Sequence, residues 1–379
     1  MSKNKAELDN SAISKVLGQV VDYPSTYDPS ILVREERQNN RQHLGIVESE
    51  VLPFTGYDIW NAYETSGLTP SGIPFVRKMK IAYPANNKYI VESKSIKLYL
   101  NSFNMDFNIA AKLYNELKVF IDNDNQQGWA KFDISQFLTW RELKQRFKDI
   151  EDKLAPIDGI CEFFMAYRVA LDLSKLLETK VSVVMIAADT NSGFDSDNTS
   201  FEFRTLINKF VNIDKSINSK DFSKVYEVPA YVESDGFDNL RKYVDDNKQD
   251  TVIKDESQGA IRRYHSSILK SNCRVTSQPD WGDIYITIDK DIKCSELLKY
   301  IISFRDECHF HEEICETVFV RLKELFDPKV LVVECLYARR GGIDINPVRS
   351  LYSSHISKYS VLNIISSDSK NNNVKTIKQ

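Results

Sequence analysis

Hydrophobic positions change period several times along this chain, and each change marks a predicted element. From Phe75 apolar and polar residues alternate. Val76, Met79 and Ile81 lead to a turn at 84–87, and a second alternating run follows over 89–100. Alternation with period two is the mark of a strand that buries one face. The two runs therefore predict a hairpin with Glu92 and Lys94 on one face. After residues 101–104 the period becomes helical, with Phe107, Ala110, Ala111, Tyr114, Leu117, Phe120 and Ile121 recurring at i+3 and i+4. Phe137, Trp140, Leu143, Phe147, Ile150 and Leu154 make a second such run. A third, over 160–177, is apolar on nearly every side, which predicts burial. Lys180 to Ile186 then reads as a strand.

Residues 189–259 are rich in Ser, Asn and Asp, with 201–211 and 225–232 as short ordered pieces, and connect two halves. The second half opens on Lys270-Ser271-Asn272-Cys273, a short strand-like run. Pro279-Asp280-Trp281-Gly282 closes it and reads as a turn. Ile284, Ile286 and Ile288 next alternate with Tyr285 and Thr287, as in a half-buried strand. Helices are predicted over 295–304 and 309–326, the latter with Ile314, Val318, Leu322 and Leu325 inward and Pro328 as its stop. Lys329-Val330-Leu331-Val332-Val333 begins another strand. Residues up to about 40 are polar and turn-rich, and 23–29 are expected to lie over a surface. The tail after 366 is rich in Ser, Asn and Lys and is expected to be disordered. Each half runs hairpin, helices, strands, and Lys180-Val181-Ser182-Val183-Val184 holds the place of 329–333. This weak internal repeat suggests a duplicated ββααββ unit.

Composition narrows the classes. A length of 379 residues favours two domains or one enlarged core. A formal net charge of -4 gives no electrostatic ground for nucleic-acid binding. The longest apolar runs are too short to span a bilayer, and the N-terminus has no apolar stretch of the secretory kind. Six cysteines without framework spacing or a CxxC point to reduced thiols in a cytoplasm.

Cys273 and Asp280 are the first candidates for chemistry. A thiol acts as a nucleophile once it loses its proton, so it needs an acceptor nearby. By itself such a pair reads as a small buried hydrophobe and a turn aspartate. Glu92 and Lys94 read alone as a surface ion pair of little worth, and Arg339-Arg340-Gly341-Gly342 as a basic turn. Cys308, His311 and Cys315, at i, i+3 and i+7, would share one helix face and could hold zinc, although a fourth ligand is missing. Cys161, Cys294 and Cys335 lie in apolar surroundings and are expected in the core. No GxGxxG follows a strand, which argues against a Rossmann site.

Four segments, in order, resemble the 7-cyano-7-deazaguanine reductases, the QueF nitrile reductases of queuosine biosynthesis, in their bimodular form. They are Glu92-Ser93-Lys94-Ser95-Ile96-Lys97-Leu98-Tyr99, Lys270 to Gly282, Ser303-Phe304-Arg305 with Phe310-His311-Glu312, and Arg339-Arg340-Gly341-Gly342-Ile343-Asp344-Ile345-Asn346-Pro347. The stretch 52–60 is similar as well. Any one alone is weak; four in order are specific.

The resemblance implies an α+β chain of two tandem tunnelling-fold (T-fold) modules, each ββααββ with an antiparallel sheet and helices on one face, and an active site between them. It implies that Cys273 attacks the nitrile carbon to form a thioimide and that Asp280 is the proton donor. Val91, Glu92 and Ser93, with His311 and Glu312, would hold the deazaguanine base. Ser93, Lys94, Arg340 and Gly341 would contact NADPH, with no metal. It further implies reduction of 7-cyano-7-deazaguanine to 7-aminomethyl-7-deazaguanine with two NADPH per turnover, by a cytoplasmic homodimer that needs neither nucleic acid nor membrane.

The expected organisation is an N-terminal extension (1–50), a first module (51–235) with a helical insertion at about 122–179, a linker (236–262), a second module (263–365) and the tail (366–379). The stretch between about 105 and 180 departs from the bimodular pattern by its length. Two rivals stand beside this reading: a zinc-dependent, cyclohydrolase-like or amidine-forming T-fold enzyme, and a non-catalytic T-fold module that binds a purine or pterin.

Overall fold

Two antiparallel hairpins, one from each half of the chain, are joined into one sheet by two strands from the C-terminal end. In this computed structural model the described residues are 24, 26–47, 51–68, 74–103, 108–130, 139–152, 157–187, 209–216, 236–247, 260–275 and 277–361. The first half contains β1 (Arg34–Glu36), α1 (Gln38–His43), β2 (Thr55–Leu68), β3 (Pro74–Pro84), β4 (Tyr89–Val91), α2 (Ser93–Asn101), α3 (Asn108–Asp122), α4 (Gln126–Ala130), α5 (Trp140–Asp152), α6 (Ile157–Leu177) and β5 (Ser182–Ala187). There follow β6 (Val211–Asn212), α7 (Gly236–Asp246), β7 (Arg262–Asn272), β8 (Pro279–Ile288), α8 (Cys294–Ser303), α9 (His311–Phe326), β9 (Leu331–Tyr337), β10 (Ile343–Ser350) and α10 (Ser353–Tyr359).

Eight strands form one sheet in the order β5-β3-β2-β10-β9-β8-β7-β6, while β1 and β4 pair separately. All pairs are antiparallel except β6 with β7. β5 and β9 each pair with the second strand of the hairpin that precedes them. The two 180–184 and 329–333 runs therefore do hold equivalent places. The seam is β2 against β10, in register from Ile343↔Ala62 to Ser350↔Thr55. A side chain at Gly56 would overlap the Val348 carbonyl, so the seam closes there because position 56 has none.

One face of the sheet carries α2, α6, α8 and α9 and two apolar clusters, while Ile356 of α10 packs separately with Val332 and Val348. In the second half Ile284, Ile286 and Ile288 meet Leu297, Ile301, Ile314, Val318 and Leu322. The spacing of Ile314, Val318 and Leu322 on α9 keeps all three on the sheet side, and burying each contributes about 1.5–3 kcal/mol. In the first half Trp60, Ala62, Met79 and Ile81 meet Ile96, Tyr99, Val169, Leu173 and Leu177. The chain is thus a mixed α+β protein built on an antiparallel sheet. Among the described residues no helix is long and apolar enough to cross a membrane.

Several expectations are corrected. The run 89–100 is not the second arm of a hairpin with β3: β4 pairs with β1, and Ser93–Asn101 is helical. Ile96, Leu98 and Leu100 alternate like a strand, but Ile96, Tyr99, Leu100 and Phe103 also fit a helical stripe. Burial of this second set, together with the Glu92 cap, decides it. Pro279 to Gly282 is not a turn but the start of β8. The chain reverses at 273–278 instead, where Cys273 N donates to Gln278 O at 2.8 Å and Ser277 N to Cys273 O at 2.9 Å. In the segment expected over a surface, 23–29, Tyr27 packs against the first core; beyond it Arg37, Asn40 and Arg41 are buried.

The stretch 236–246, expected in the linker, is a helix whose Phe237 and Leu240 join the second core. The three helical runs after residue 105 appear as α3, α5 and α6. Residues 201–208 of the ordered piece expected at 201–211, the piece at 225–232 and the tail after 366 lie outside the described residues.

Candidate active site

The turn at 273–278 and the start of α9 come together because the backbone of 307–309 runs beside the end of β7. Asn272 N donates to Glu307 O at 2.8 Å, and His309 N to Asn272 O at 3.1 Å. This pairing delivers His311 and Glu312, the first two residues of α9, over the β7–β8 hairpin. Cys273 is half-buried at the end of β7. Among the described residues its Sγ makes no hydrogen bond or ion pair.

Asp280 stands opposite Ser271 in the ladder and is 4% exposed. Its Oδ1 lies 2.8 Å from Arg340 Nη1 and 3.3 Å from His311 Nε2. The His311 ring stacks on Tyr337 of β9 with centroids 3.9 Å apart. Arg340 also donates to the Pro279 carbonyl. It is held there by a tight turn: Arg340 and Ile343 exchange backbone hydrogen bonds of 2.8 and 3.0 Å across Gly341 and Gly342. Both glycines have positive φ, +54° and +80°, as a two-residue hairpin turn of this type demands.

The first half contributes through α2. Glu92 caps this helix, accepting from Lys94 N at 2.9 Å and Ser95 N at 2.7 Å. Burial raises its carboxyl, while these backbone hydrogen bonds work in the other direction. Val91 is buried in β4 immediately before it, and Ser93 and Lys94 open the helix. One turn on, Lys97 reaches the Arg340 turn: a Cβ at Gly341 would meet Lys97 Nζ at 3.0 Å. Arg274, next to Cys273, pairs with Glu313 at 2.7 Å. Glu35 links these pieces: burial raises its carboxyl, Arg274 lowers it, and Glu313 and Glu92 raise it.

Glu312 is wholly buried. Its carboxyl is pushed up to about 8 by burial and by Asp58, against the pull of Arg37 and Arg349. The structure therefore joins Asp280, His311 and Arg340 directly, and brings Glu92 and Lys97 to the same region through Glu35 and Gly341.

The zinc expectation has no support in the geometry. Cys308 lies before α9, whose first residue is His311, so the i, i+3, i+7 face is not formed. Cys308 is exposed, whereas Cys315 is buried and directed at the Val333 carbonyl, 3.4 Å away. Among the described residues no three His, Cys, Asp or Glu side chains gather where a metal could sit. Cys335 is in the core and Cys294 packs against it; the Cys161 side chain falls outside the described set.

Two family models match the chain. One, described as "Nitrile reductase, 7-cyano-7-deazaguanine-reductase N-term", covers residues 23–130. The other, "QueF-like protein", covers 279–355. A protein named NADPH-dependent 7-cyano-7-deazaguanine reductase from Rickettsia bellii (strain OSU 85-389) is 32% identical over 349 residues, 92% of this chain and 95% of the relative. One of the same name from Coxiella burnetii (strain CbuK_Q154) is 31% identical over 338 residues, 88% of this chain and 90% of the relative. The chain belongs to the 7-cyano-7-deazaguanine reductase family.

Inspection of the motifs alone missed several residues of this reductase-family chain that the fold puts beside them. Arg37, Asp58, Glu316 and Arg349 form a buried ion network. Glu35 and the Arg274–Glu313 pair were missed too. The one local signal was the spacing of Glu312 and Glu316, acids one turn apart on a helix with an otherwise apolar inner face.

Proposed function

We propose that this protein is an NADPH-dependent oxidoreductase that reduces the nitrile of 7-cyano-7-deazaguanine to 7-aminomethyl-7-deazaguanine in queuosine biosynthesis, a tRNA-modification pathway. The observation that carries the chemical reading is the meeting of Asp280, His311 and Arg340 beside the turn that bears Cys273. An acid flanked by an imidazole and a guanidinium, on the hairpin whose turn bears a thiol with no partner among the described residues, suits addition of that thiol to a poor electrophile.

Cys273 Sγ forms a bond to the nitrile carbon as one π bond of C≡N breaks. Asp280 takes the thiol proton and passes it to nitrogen, giving a thioimide. NADPH, when bound, supplies a hydride for each of the two reductions. Asp280 relays protons to nitrogen in both, and the Cys273 thiolate leaves between them. Glu92 and Glu312 accept the N–H groups of the base, with Val91 and Ser93 beside them, and His311 is held over the reacting group by its stack on Tyr337.

The residues present fit the cofactor. Lys94, Lys97, Arg339 and Arg340 offer cations for phosphates, and the Gly341–Gly342 turn has the Lys97 side chain against it, next to Arg340.

The finer architecture we propose is a pair of T-fold modules at 51–235 and 263–365, preceded by the extension 1–50, joined by 236–262, whose helix α7 packs on the second core, and followed by the tail 366–379. The matching places of β5 and β9 support it. Because α6 supplies core residues, the added segment narrows from about 122–179 to the part before α6. A cytoplasmic homodimer belongs to the same proposal.

The test is direct: protein, 7-cyano-7-deazaguanine and NADPH are mixed and the nicotinamide absorbance followed. The expected result is loss of two NADPH per base. No oxidation of NADPH by a folded protein, or oxidation that does not depend on the nitrile, would refute the reading.

A further inference from the structure

A carboxylate that recognises an N–H edge must be both charged and aimed, and burial opposes the first requirement. α9 presents two acids one turn apart, Glu312 and Glu316. Glu316 Oε1 accepts from Arg37 Nη1 at 3.1 Å, Arg41 Nη2 at 3.0 Å and Arg349 Nη2 at 2.9 Å, and its Oε2 from Arg41 Nε at 3.1 Å. Asp58 takes the other ends: Arg349 Nη1 lies 2.8 Å from its Oδ1, and Arg37 Nη2 donates to its Oδ2. Arg37 further reaches Asn87 Oδ1 at 3.0 Å and the Tyr89 carbonyl at 3.2 Å, just ahead of Glu92. All these groups are buried.

Three guanidiniums thus face two carboxylates, which leaves one positive charge for a further acid. Glu312 is that acid by position. It is fully buried, and its Oε1 has no hydrogen-bond partner among the described residues. The groups that act on it are Asp58 from β2, Arg37 from the segment before α1 and Arg349 from β10. Tyr83 of β3 and Tyr337 of β9 also feel its charge. On its own helix it has His311, Glu313 and Glu316 as neighbours.

We propose that the Arg37–Asp58–Arg349–Glu316 network is the positioning layer of Glu312, supplying the counter-charge that lets this carboxylate meet the N–H groups of the base. The proposal rests on Glu312 as a base-binding residue. It makes Arg37, outside the recognised motifs, and Asp58, in the 52–60 stretch to which no role was attached, positioning residues for substrate recognition.

A consequence can be measured. With its carboxyl pushed up to about 8, by burial first and Asp58 next, Glu312 holds its proton at about pH 7 before the base binds. N–H donors favour the ionised form, so binding lowers its proton affinity and expels the proton. Affinity should therefore rise with pH up to about 8 and level off above it.

The experiment is calorimetric titration of the Cys273→Ala protein with 7-cyano-7-deazaguanine in buffers of differing ionisation enthalpy. Without the thiol, thioimide formation does not enter the proton count. At about pH 7 we expect release approaching one proton per base, and almost none above about pH 9. Glu312→Gln in the same background should release none. Asp58→Asn keeps the side-chain shape and removes the like charge that acts on Glu312. Release at about pH 7 should then fall by roughly half, and the pH dependence should move to lower pH.

A network that only supports the fold would weaken folding or affinity in Asp58→Asn but leave the proton count and its pH dependence in place. That result overturns the proposal, as does binding without proton release in the Asp58-containing protein. If Asp58→Asn does not fold, the pH series on the parent and Glu312→Gln still decides. Failure of the Cys273→Ala protein to bind the base at all would instead sink the proposed function.

Discussion

Arg340 and Asp280 meet across the edge of β8, guanidinium nitrogen to carboxylate oxygen at 2.8 Å, with His311 on the same oxygen at 3.3 Å. A residue that the motif resemblance assigns to the cofactor therefore touches the residue it assigns to proton transfer. Arg340→Ala should accordingly slow thioimide formation in the absence of any cofactor, as well as reduction. Stopped-flow measurement of adduct formation is the check. An unchanged adduct rate would mean that the ion pair does not serve Asp280.

Substrate alone should modify Cys273. Intact-protein mass spectrometry without NADPH is expected to show the mass of one base added, and Cys273→Ala should show none. An adduct that persists in the variant would move the nucleophile elsewhere.

Asp280→Asn should lower reduction by about 10²–10⁴, the usual cost of losing one acid–base group, while NADPH binding changes little. Single-turnover kinetics with a parallel cofactor titration separates the two. Turnover within twofold of the parent would leave Asp280 a structural residue of β8.

Lys97 and Arg339 differ in surroundings. Arg339 lies over the Tyr63 ring, 3.9 Å from its centroid, whereas Lys97 stands at the Gly341 turn. A charge-assisted contact with the 2′-phosphate is worth roughly 1.5–3 kcal/mol, or about one to two decades of preference for NADPH over NADH. Lys97→Ala is expected to lose that preference and Arg339→Ala to keep it. Kinetic efficiencies with both cofactors decide, and the reverse pattern would place the phosphate on the Arg339 side.

The buried network has a stability signature. Glu316 is held down to about 2: burial alone would raise it, but Arg349, Arg41 and Arg37 outweigh burial. Its folded value lies below its ordinary 4.5, so its contribution is full above that value and is lost as pH falls towards about 2. Glu316→Gln should cost about 3–5 kcal/mol near neutrality, because the guanidiniums lose their main partner. The variant should also lose less stability than the parent between those pH values. Urea unfolding across that range measures both effects, and parallel curves would contradict them.

What the sequence determined by itself was set by local repetition and by side-chain chemistry. The helices around Tyr114, Leu143 and Leu173 and the strand through Ile284, Ile286 and Ile288 announce themselves, because a stripe of one period buries only one way. The types and order of the motif residues were enough to name a reaction class. Local pattern failed where two periods overlap. Ile96, Leu98 and Leu100 suit a strand, Ile96, Tyr99, Leu100 and Phe103 suit a helix, and packing against Val169 and Leu173, with the Glu92 cap, chose between them. It was silent on pairings between distant residues. Arg37 with Glu316, Asp58 with Arg349 and Asp280 with Arg340 are each joined by the β2–β10 seam, by α9 or by the Gly341–Gly342 turn. A buried charge needs a partner, but the need carries no information on where along the chain that partner lies. The tertiary structure alone decided that.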